Sequence, residues 1–597
     1  MSLRQSKSAS SPSPNLPLGD INVVVLTDVH SWVGGHGRQE PELDADYGDV
    51  LSFYQHLKAY MDNDQDKDLW FVSNGDWAHG TGLAPQGASG SELLTILEKM
   101  PWDAVDCGNH ELYESLKVET MLQPNGYIDT FGNRYLTANV LLRNERNNET
   151  GNDDALNFHE NNEPLGNRYK VLRGKKNDLL VFGFLYNLRD PCDMVEIAKV
   201  EEVVRQEWFQ NALKNESYDA VLVLAHMDLK DPLVYTILEA IRKVVGDDTL
   251  PVQFITGHTH YRGSKQLDDY AASVEAGRYL DTVGFVSFPS MKQKKQNPSR
   301  IATMGDPKNE NHNNDSEFRH VFLNANKKAL ANALNLDTTS DLTTPSGKEL
   351  SESIVRVQQK LGLLEEIGCS PRDYRYSGSV DADDSLWKVF REQVAPLTIF
   401  EQENQQPSAM LLSIESWRYN LFSHSPLVVD DIWAVAPFND TIIDLGSFSG
   451  STILKLNATM NGHHSDQYAY SSLRYVLVGD VVDNDDDQFR LYTEEYGLKT
   501  MQHALEKIVG PDQRIEPNAT AYTDTALWMS FVRNHWPCDG DDVAASNDTA
   551  AASSMDPLSS LFGCSETMSA KLCGVFLLAL LLLTRTIVRR RNANRNS

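Results

Sequence analysis

Five short stretches of this chain carry residue types that bind metals. They run in the order Asp28-Val29-His30, Asn74-Gly75-Asp76, Gly108-Asn109-His110-Glu111, Ala225-His226 and Gly257-His258-Thr259-His260. Carboxylate, amide oxygen and imidazole are ligands of intermediate hardness. Asp28, His30, Asp76, Asn109, His226, His258 and His260 together are too many donors for one zinc-like ion. They suit two divalent ions about 3.5–4 Å apart that share a carboxylate, the arrangement of two-metal hydrolysis. Whether those ions are zinc, manganese, iron or magnesium stays open. Asp28 and His30 stand two residues apart, as do His258 and His260. In extended backbone that spacing puts both side chains on one side. Glycine precedes several of the donors and lets the chain turn sharply off a strand.

Each cluster follows an apolar run that reads as a strand. The runs are Ile21–Thr27, Leu69–Ser73, Ala104–Asp106, Ala220–Leu224 and Phe254–Thr256, with Val181–Leu185 as a sixth. Helical patterns lie between them at 50–61, 91–99, 196–214 and 231–245. Strand–helix alternation predicts an α/β layered domain over 20–325, with the donors at the carboxyl edge where open sheets bind ligands. Two Asn-rich stretches, 144–167 and 292–315, read as surface loops. Leu350, Ile354, Val357, Leu361 and Leu364 share one helical face, and Ser346 and Glu349 have capping-box spacing. A linker helix is therefore expected within 340–366. A second α/β domain follows over 367–540, with strand-like runs at 431–436, 452–457 and 473–478. Residues 1–19 are polar and read as disordered, and 541–570 as a flexible stalk.

The chain has 597 residues, 41% hydrophobic and 23% charged, which excludes disorder throughout. A net charge of −30 argues against a dedicated nucleic-acid binder. It leaves a small phosphate-bearing substrate open, because bound cations reverse the local sign. Six cysteines with no C-x-x-C pair exclude a Cys-rich zinc site and leave room for one or two disulfides. The apolar run 572–588 sits at the lower length limit for a membrane span. The basic tail 589–597 then places the body in the lumen or outside the cell, vacuolar or at the cell surface. With no export signal at the start, a tail-anchored protein with a cytosolic body is the alternative. The sequons at Asn148, Asn215, Asn314, Asn439, Asn457, Asn518 and Asn547 fit a lumenal glycoprotein. Asp483 to Glu494 has much of a calcium-loop spacing, but Gln488 replaces the turn glycine, so it reads as an acidic surface loop. Cys107, Trp528 and Trp536 read as core. His36 reads as a loop residue that could line the site.

In this order the five clusters resemble the calcineurin-like metallophosphoesterase superfamily, over about residues 20–540. Ser416-Trp417-Arg418-Tyr419, followed by Ala436-Pro437-Phe438-Asn439-Asp440-Thr441, is similar to the substrate motifs of its 5'-nucleotidase-like branch. The resemblance implies an α/β fold, α+β overall: a four-layer β-sandwich flanked by helices, with a second α/β substrate-binding domain. It implies that Asp28, His30, Asp76 and His260 hold one ion. Asp76, Asn109, His226 and His258 would hold the other, with Asp76 shared. A hydroxide between the ions would attack phosphorus in line, and His110 would stabilise the transition state or protonate the leaving oxygen. Arg418 would clamp a phosphate, Phe438 would stack on a base or sugar, and Asn439 would join them in binding substrate.

The implied function is release of phosphate from nucleotides or related monoesters. A phosphodiesterase or pyrophosphatase acting on nucleotide sugars or cyclic nucleotides is the enzymatic alternative. A non-catalytic membrane-bound binding protein is the other. Two departures stand out. Many 5'-nucleotidases continue this G-N-H-E motif with an aromatic residue and then Asp, which orients the catalytic His. Here it continues Leu112-Tyr113-Glu114. The Gly-rich turn before the substrate Arg is reduced to Ser413-Ile414-Glu415-Ser416.

Overall fold

Side chains along a strand alternate between its two faces, and here the alternation sorts them into different cores. In the strand Ile21–Leu26, residues Ile21, Val23 and Val25 enter one apolar cluster, and Val24 and Leu26 another. In Ala220–His226, residues Ala220, Leu222 and Leu224 join that first cluster, while Val221, Val223 and Ala225 enter a third. The shared cluster is the layer between two stacked sheets. The computed structural model in which this is seen describes residues 13–63, 67–143, 163–291, 318–400, 406–462, 474–510 and 514–538.

The first sheet has the order Arg319–Asn324, Thr282–Phe288, Ile21–Leu26, Asp68–Ser73, Ala104–Asp106, Tyr135–Leu136. The second has the order Arg262–Asp268, Ala271–Ala276, Val252–Thr256, Ala220–His226, Asp178–Leu185, Tyr169–Arg173. In each sheet the central strands are parallel, so their carboxyl ends share an edge. The helices Tyr47–Asn63 and Ser91–Leu97 cover the outer face of the first sheet through Val50, Phe53, Leu57, Leu93 and Ile96. Glu207–Asn215 and Pro232–Val245 cover the second through Phe209, Leu213, Val234, Ile237 and Ile241. The result is the expected four layers of helix, sheet, sheet and helix.

The second domain is built on a five-stranded sheet in the order Tyr475–Val478, Ser408–Ser413, Gln488–Glu494, Thr441–Ser449, Asn518–Thr523. Helices Gly450–Asn461 and Leu498–Val509 cover one face. Trp387, Trp417, Trp528 and Trp536 pack with the other. Trp528 and Trp536 are thus core, and Cys107 is buried in the first domain. Cys369 and Cys538 form a disulfide that joins the two ends of this domain. All described residues lie in one compact unit, 1–539.

Several local expectations are corrected. The pattern 196–214 is not one helix but the end of strand Val195–Ile197 and two short helices, Val200–Val203 and Glu207–Asn215. Extended backbone at Lys199 and Gln206 divides them. The run 431–436 lies in the helix Val429–Val435, started by the Val428 N–H donating to Asp431. The run 452–457 lies in the helix Gly450–Asn461, where Ser449 caps the first turn and overrides the β-branched composition. The linker helix is Pro345–Lys360, capped by Thr344 rather than Ser346. It ends before Leu361, and a left-handed Gly362 turns the chain so that Leu363 takes the buried place. The acidic stretch 483–487 is a surface loop leading into the strand Gln488–Glu494. The loops at 144–162 and 292–317, the stalk 541–570 and the run 572–588 lie outside the described residues. Among the described residues no helix is long and apolar enough to cross a membrane.

Three carboxyls are buried in the second domain: Asp440, Glu494 and Asp524. Burial, helped by a neighbouring carboxylate, pushes Asp440 up to about 7 and Glu494 up to about 8. Burial raises Asp524 as well. The folded state therefore holds these protons more tightly than the unfolded chain. Their contribution to stability is complete below about pH 4 and is lost as pH rises towards 8. The thermal midpoint of this domain is expected to fall between pH 5 and pH 8. Glu494→Gln, which keeps the shape and removes a titration, flattens that fall. An unchanged slope in the variant contradicts the assignment.

Candidate metal centre

The seven candidate donors converge where the central strands end. One donor atom from each of Asp28, His30, Asp76 and His260 lies within 4.8 Å of the others, and Asp76, His226 and His258 form a second such group. Asp76 belongs to both. His226 Nε2 is 3.0 Å from Asp76 Oδ2 and 3.1 Å from Asn109 Oδ1, which brings the amide into the second group. His30 Nε2 is 3.1 Å from His260 Nε2 and 3.5 Å from Asp76 Oδ2.

The backbone there is not extended, as the two-residue spacing implies, but left-handed. Asp28, His30, Asp76, His258 and His260 all have positive φ, between 47° and 76°. That conformation is strained for residues with a Cβ, and specific contacts hold it. Glu111, the acid that ends the third motif, accepts the N–H groups of Gly108, Asp76, Trp77 and Ala78 and so pins the Asp76 turn. A Cβ at Gly108 would stand 2.1 Å from Asp76 Oδ1, so only glycine lets the two turns meet.

Hydrogen bonds aim the imidazoles. His30 donates from Nδ1 to the Ala78 carbonyl at 2.8 Å, and His226 from Nδ1 to the Asn74 carbonyl at 2.7 Å. Each then turns Nε2 towards the cluster, the way backbone acceptors orient metal-binding histidines. Asp76 Oδ1 accepts the His110 N–H, and Asp28 Oδ1 the His258 N–H. Oδ2 of each is buried without a hydrogen bond. Burial pushes the Asp28 carboxyl up to about 7 and His30 and His258 down to about 4. Burial opposes charge on His226 too, but Asp76 raises it to about 10. The orphaned Asp76 oxygen between the His226 and His30 nitrogens, with Asp28 Oδ1 3.8 Å from His260 Nε2, is a donor set that divalent cations complete, so the residues fit the two-ion expectation.

Other site residues come from further away. Arg418 in the second domain has its Nε buried and unpaired. Its charge helps to hold His30, His258 and His260 neutral. Its guanidinium carbon lies 5.0 Å from the centre of the Phe438 ring. That ring stacks against His110 at 6.0 Å. Asn439 adopts a positive φ in the same loop. Tyr419, next to Arg418, is held by His36 Nδ1 at 2.5 Å and by Glu40 across the domain boundary. His36 is thus a structural tie and not a lining residue.

Compared with known proteins, residues 21–262 match the family model "Calcineurin-like phosphoesterase". The chain carries a calcineurin-like phosphoesterase domain. Its ordered metal-type donors fall within that domain. The chain is 27% identical over 465 residues to an uncharacterized protein of Saccharomyces cerevisiae, covering 73% of this chain and 70% of the other. It is 25% identical over 456 residues to a protein of Arthroderma benhamiae described as a secreted protein, covering 72% and 65%. The solved 5'-nucleotidase of Candida albicans shares the fold with a TM-score of 0.73 at 21% identity, over 88% of this chain and 100% of that one. The phosphoesterase domain and the second domain together thus have the two-domain architecture of 5'-nucleotidases.

The membrane placement is corrected here. A secreted relative spans most of the chain, and no described helix can cross a bilayer.

Proposed function

We propose that this phosphoesterase is a dinuclear-metal phosphohydrolase that releases phosphate from nucleotides or related monoesters. In this reading residues 20–325 do the chemistry and 367–540 bind substrate. The observation that carries it is Asp76, whose free oxygen stands in both donor groups at once. Asp28, His30, Asp76 and His260 would hold one divalent ion, and Asp76, Asn109, His226 and His258 the other. Such ions supply a water of lowered pKa and neutralise phosphoryl oxygens. The chain's own residues do the rest. Arg418 offers an unpaired planar fork that matches phosphate oxygens. Phe438 backs that fork and shields the His110 ring from water. His110 holds a hydrogen bond or a proton for the ester oxygen that departs.

The test follows, with the purified full chain and with and without chelator, phosphate from AMP, ADP and 4-nitrophenyl phosphate, and the nucleoside monophosphate formed from UDP-glucose and a cyclic nucleotide. Chelator-sensitive hydrolysis that is fastest with the monoesters is expected. Hydrolysis of the cyclic diester or the nucleotide sugar alone refutes the monoester reading, and chelator-insensitive hydrolysis refutes the metal. Arg418→Ala is expected to raise KM about 10–100-fold, the worth of a charged hydrogen-bond pair. Arg418→Lys recovers little of it, because an ammonium lacks the fork. Full recovery by lysine argues for charge alone.

A further inference from the structure

His110 is held by a chain of three side chains that has no counterpart in the metal donor set. Its Nδ1 lies 2.9 Å from His79 Nδ1. His79 Nε2 lies 2.7 Å from Glu114 Oε1. Glu114 is fixed in turn by Lys117 Nζ at 3.1 Å and by the Gly87 N–H at 2.7 Å. Lys117 is itself anchored on the carbonyls of Pro85 and Ala88, at 3.0 and 2.8 Å. His79 and Lys117 are buried. His79 also has a φ of 63°, a strained value for a residue with a Cβ, held by its N–H on the Ala84 carbonyl. Tyr113, where an orienting acid is expected from the family pattern, instead accepts a hydrogen bond from Asn109.

We propose that His79 and Glu114 are positioning residues for His110, a two-step relay in place of a direct carboxylate–histidine contact. The proposal rests on the role given to His110 above. The hydrogen bonds fix the protons. A carboxylate can only accept, so His79 donates Nε2–H to Glu114 and presents an Nδ1 lone pair. His110 must then donate Nδ1–H to His79. That leaves His110 Nε2, which has no hydrogen-bond partner among the described residues, for the substrate. His110 takes a proton from water at Nε2 when the ester binds, and as the P–O bond breaks its electron pair takes that proton. His110 is then neutral again, with its own Nδ1–H still donated to His79. Each added positive charge on His110 is stabilised through His79 by the Glu114 anion.

The test compares wild type, His79→Ala, His79→Gln, Glu114→Gln and His110→Ala on phenyl phosphate and 4-nitrophenyl phosphate. The second ester has the better leaving group and needs less proton donation. His79→Ala and Glu114→Gln are expected to lower kcat on phenyl phosphate about 10–100-fold, within the range of general acid catalysis, with KM little changed. The loss on 4-nitrophenyl phosphate is several-fold smaller. His79→Gln, whose amide can accept from His110 and donate to Glu114, restores part of the rate. Equal losses on both esters in the His79 and Glu114 variants, with an unequal loss in His110→Ala, overturn the relay alone. Equal losses in His110→Ala as well overturn the role of His110. Histidine-selective nitrogen NMR of the full chain gives a readout free of turnover. The proton is expected on Nε2 of His79 and on Nδ1 of His110, and the latter signal exchanges faster in His79→Ala. The opposite tautomers overturn the proposal.

Discussion

Asp76→Asn is expected to remove hydrolysis of every ester the protein accepts. Asp76 is the one donor common to both groups, and its Oδ1 also receives the His110 N–H. Asparagine keeps the shape and an acceptor but loses the charge that two cations would share. Loss of an outer-shell partner costs a metal centre roughly 10–100-fold, so loss of the shared ligand costs well beyond that. Metal content is expected to fall with activity, while the thermal midpoint in excess chelator stays near wild type. Burial opposes the Asp76 anion, but the neighbouring His226, His110 and His30 hold its carboxyl well below the usual carboxylate range. An Asp76→Asn protein that retains both ions and turns over within tenfold of wild type contradicts the shared role.

Reducing the Cys369–Cys538 bridge is expected to give the largest loss of stability. The two cysteines are 169 residues apart in sequence, and the bond closes nearly the whole second domain. Beside it the Cys369 N–H donates to the Trp536 carbonyl, so the ends already lie together in the fold. The bond then acts mainly on the unfolded chain, and its removal costs about 2–5 kcal/mol. The Cys369→Ser, Cys538→Ser double variant should show a lower thermal midpoint with and without reductant, and wild type should fall to match it only when reduced. Cys107 and Cys192, free thiols, contribute nothing to this difference. Identical midpoints for reduced and oxidised wild type refute the expectation.

The sequence carries the order and types of the metal donors, because five separate clusters after strand-like runs cannot be hidden by loop variation. The parallel strands were legible for the same reason: a strand buried on both faces reads as a continuous apolar run. Arg262–Asp268 escaped because it is a half-exposed polar edge strand, and Ala271–Ala276 because small residues fill its buried faces. The helices at 429–435 and 450–461 are rich in β-branched residues, and a single cap decides each. The local conformation of the donors was not legible at all. Left-handed Asp28 and Asp76 persist only because Glu111 and the neighbouring turns hold them, and those contacts are long-range. His79 carried a faint signal, a histidine three residues behind Asp76, but nothing in the sequence shows that it meets His110 and Glu114.

The account stands on two cations sharing Asp76. The most direct measurement is the metal content of the full-length protein, purified without chelator, exchanged into excess divalent ion and then desalted. Two ions per chain are expected, falling below one in Asp76→Asn and leaving together on chelation. A wild-type protein that saturates at one ion or none while still releasing phosphate contradicts the central claim.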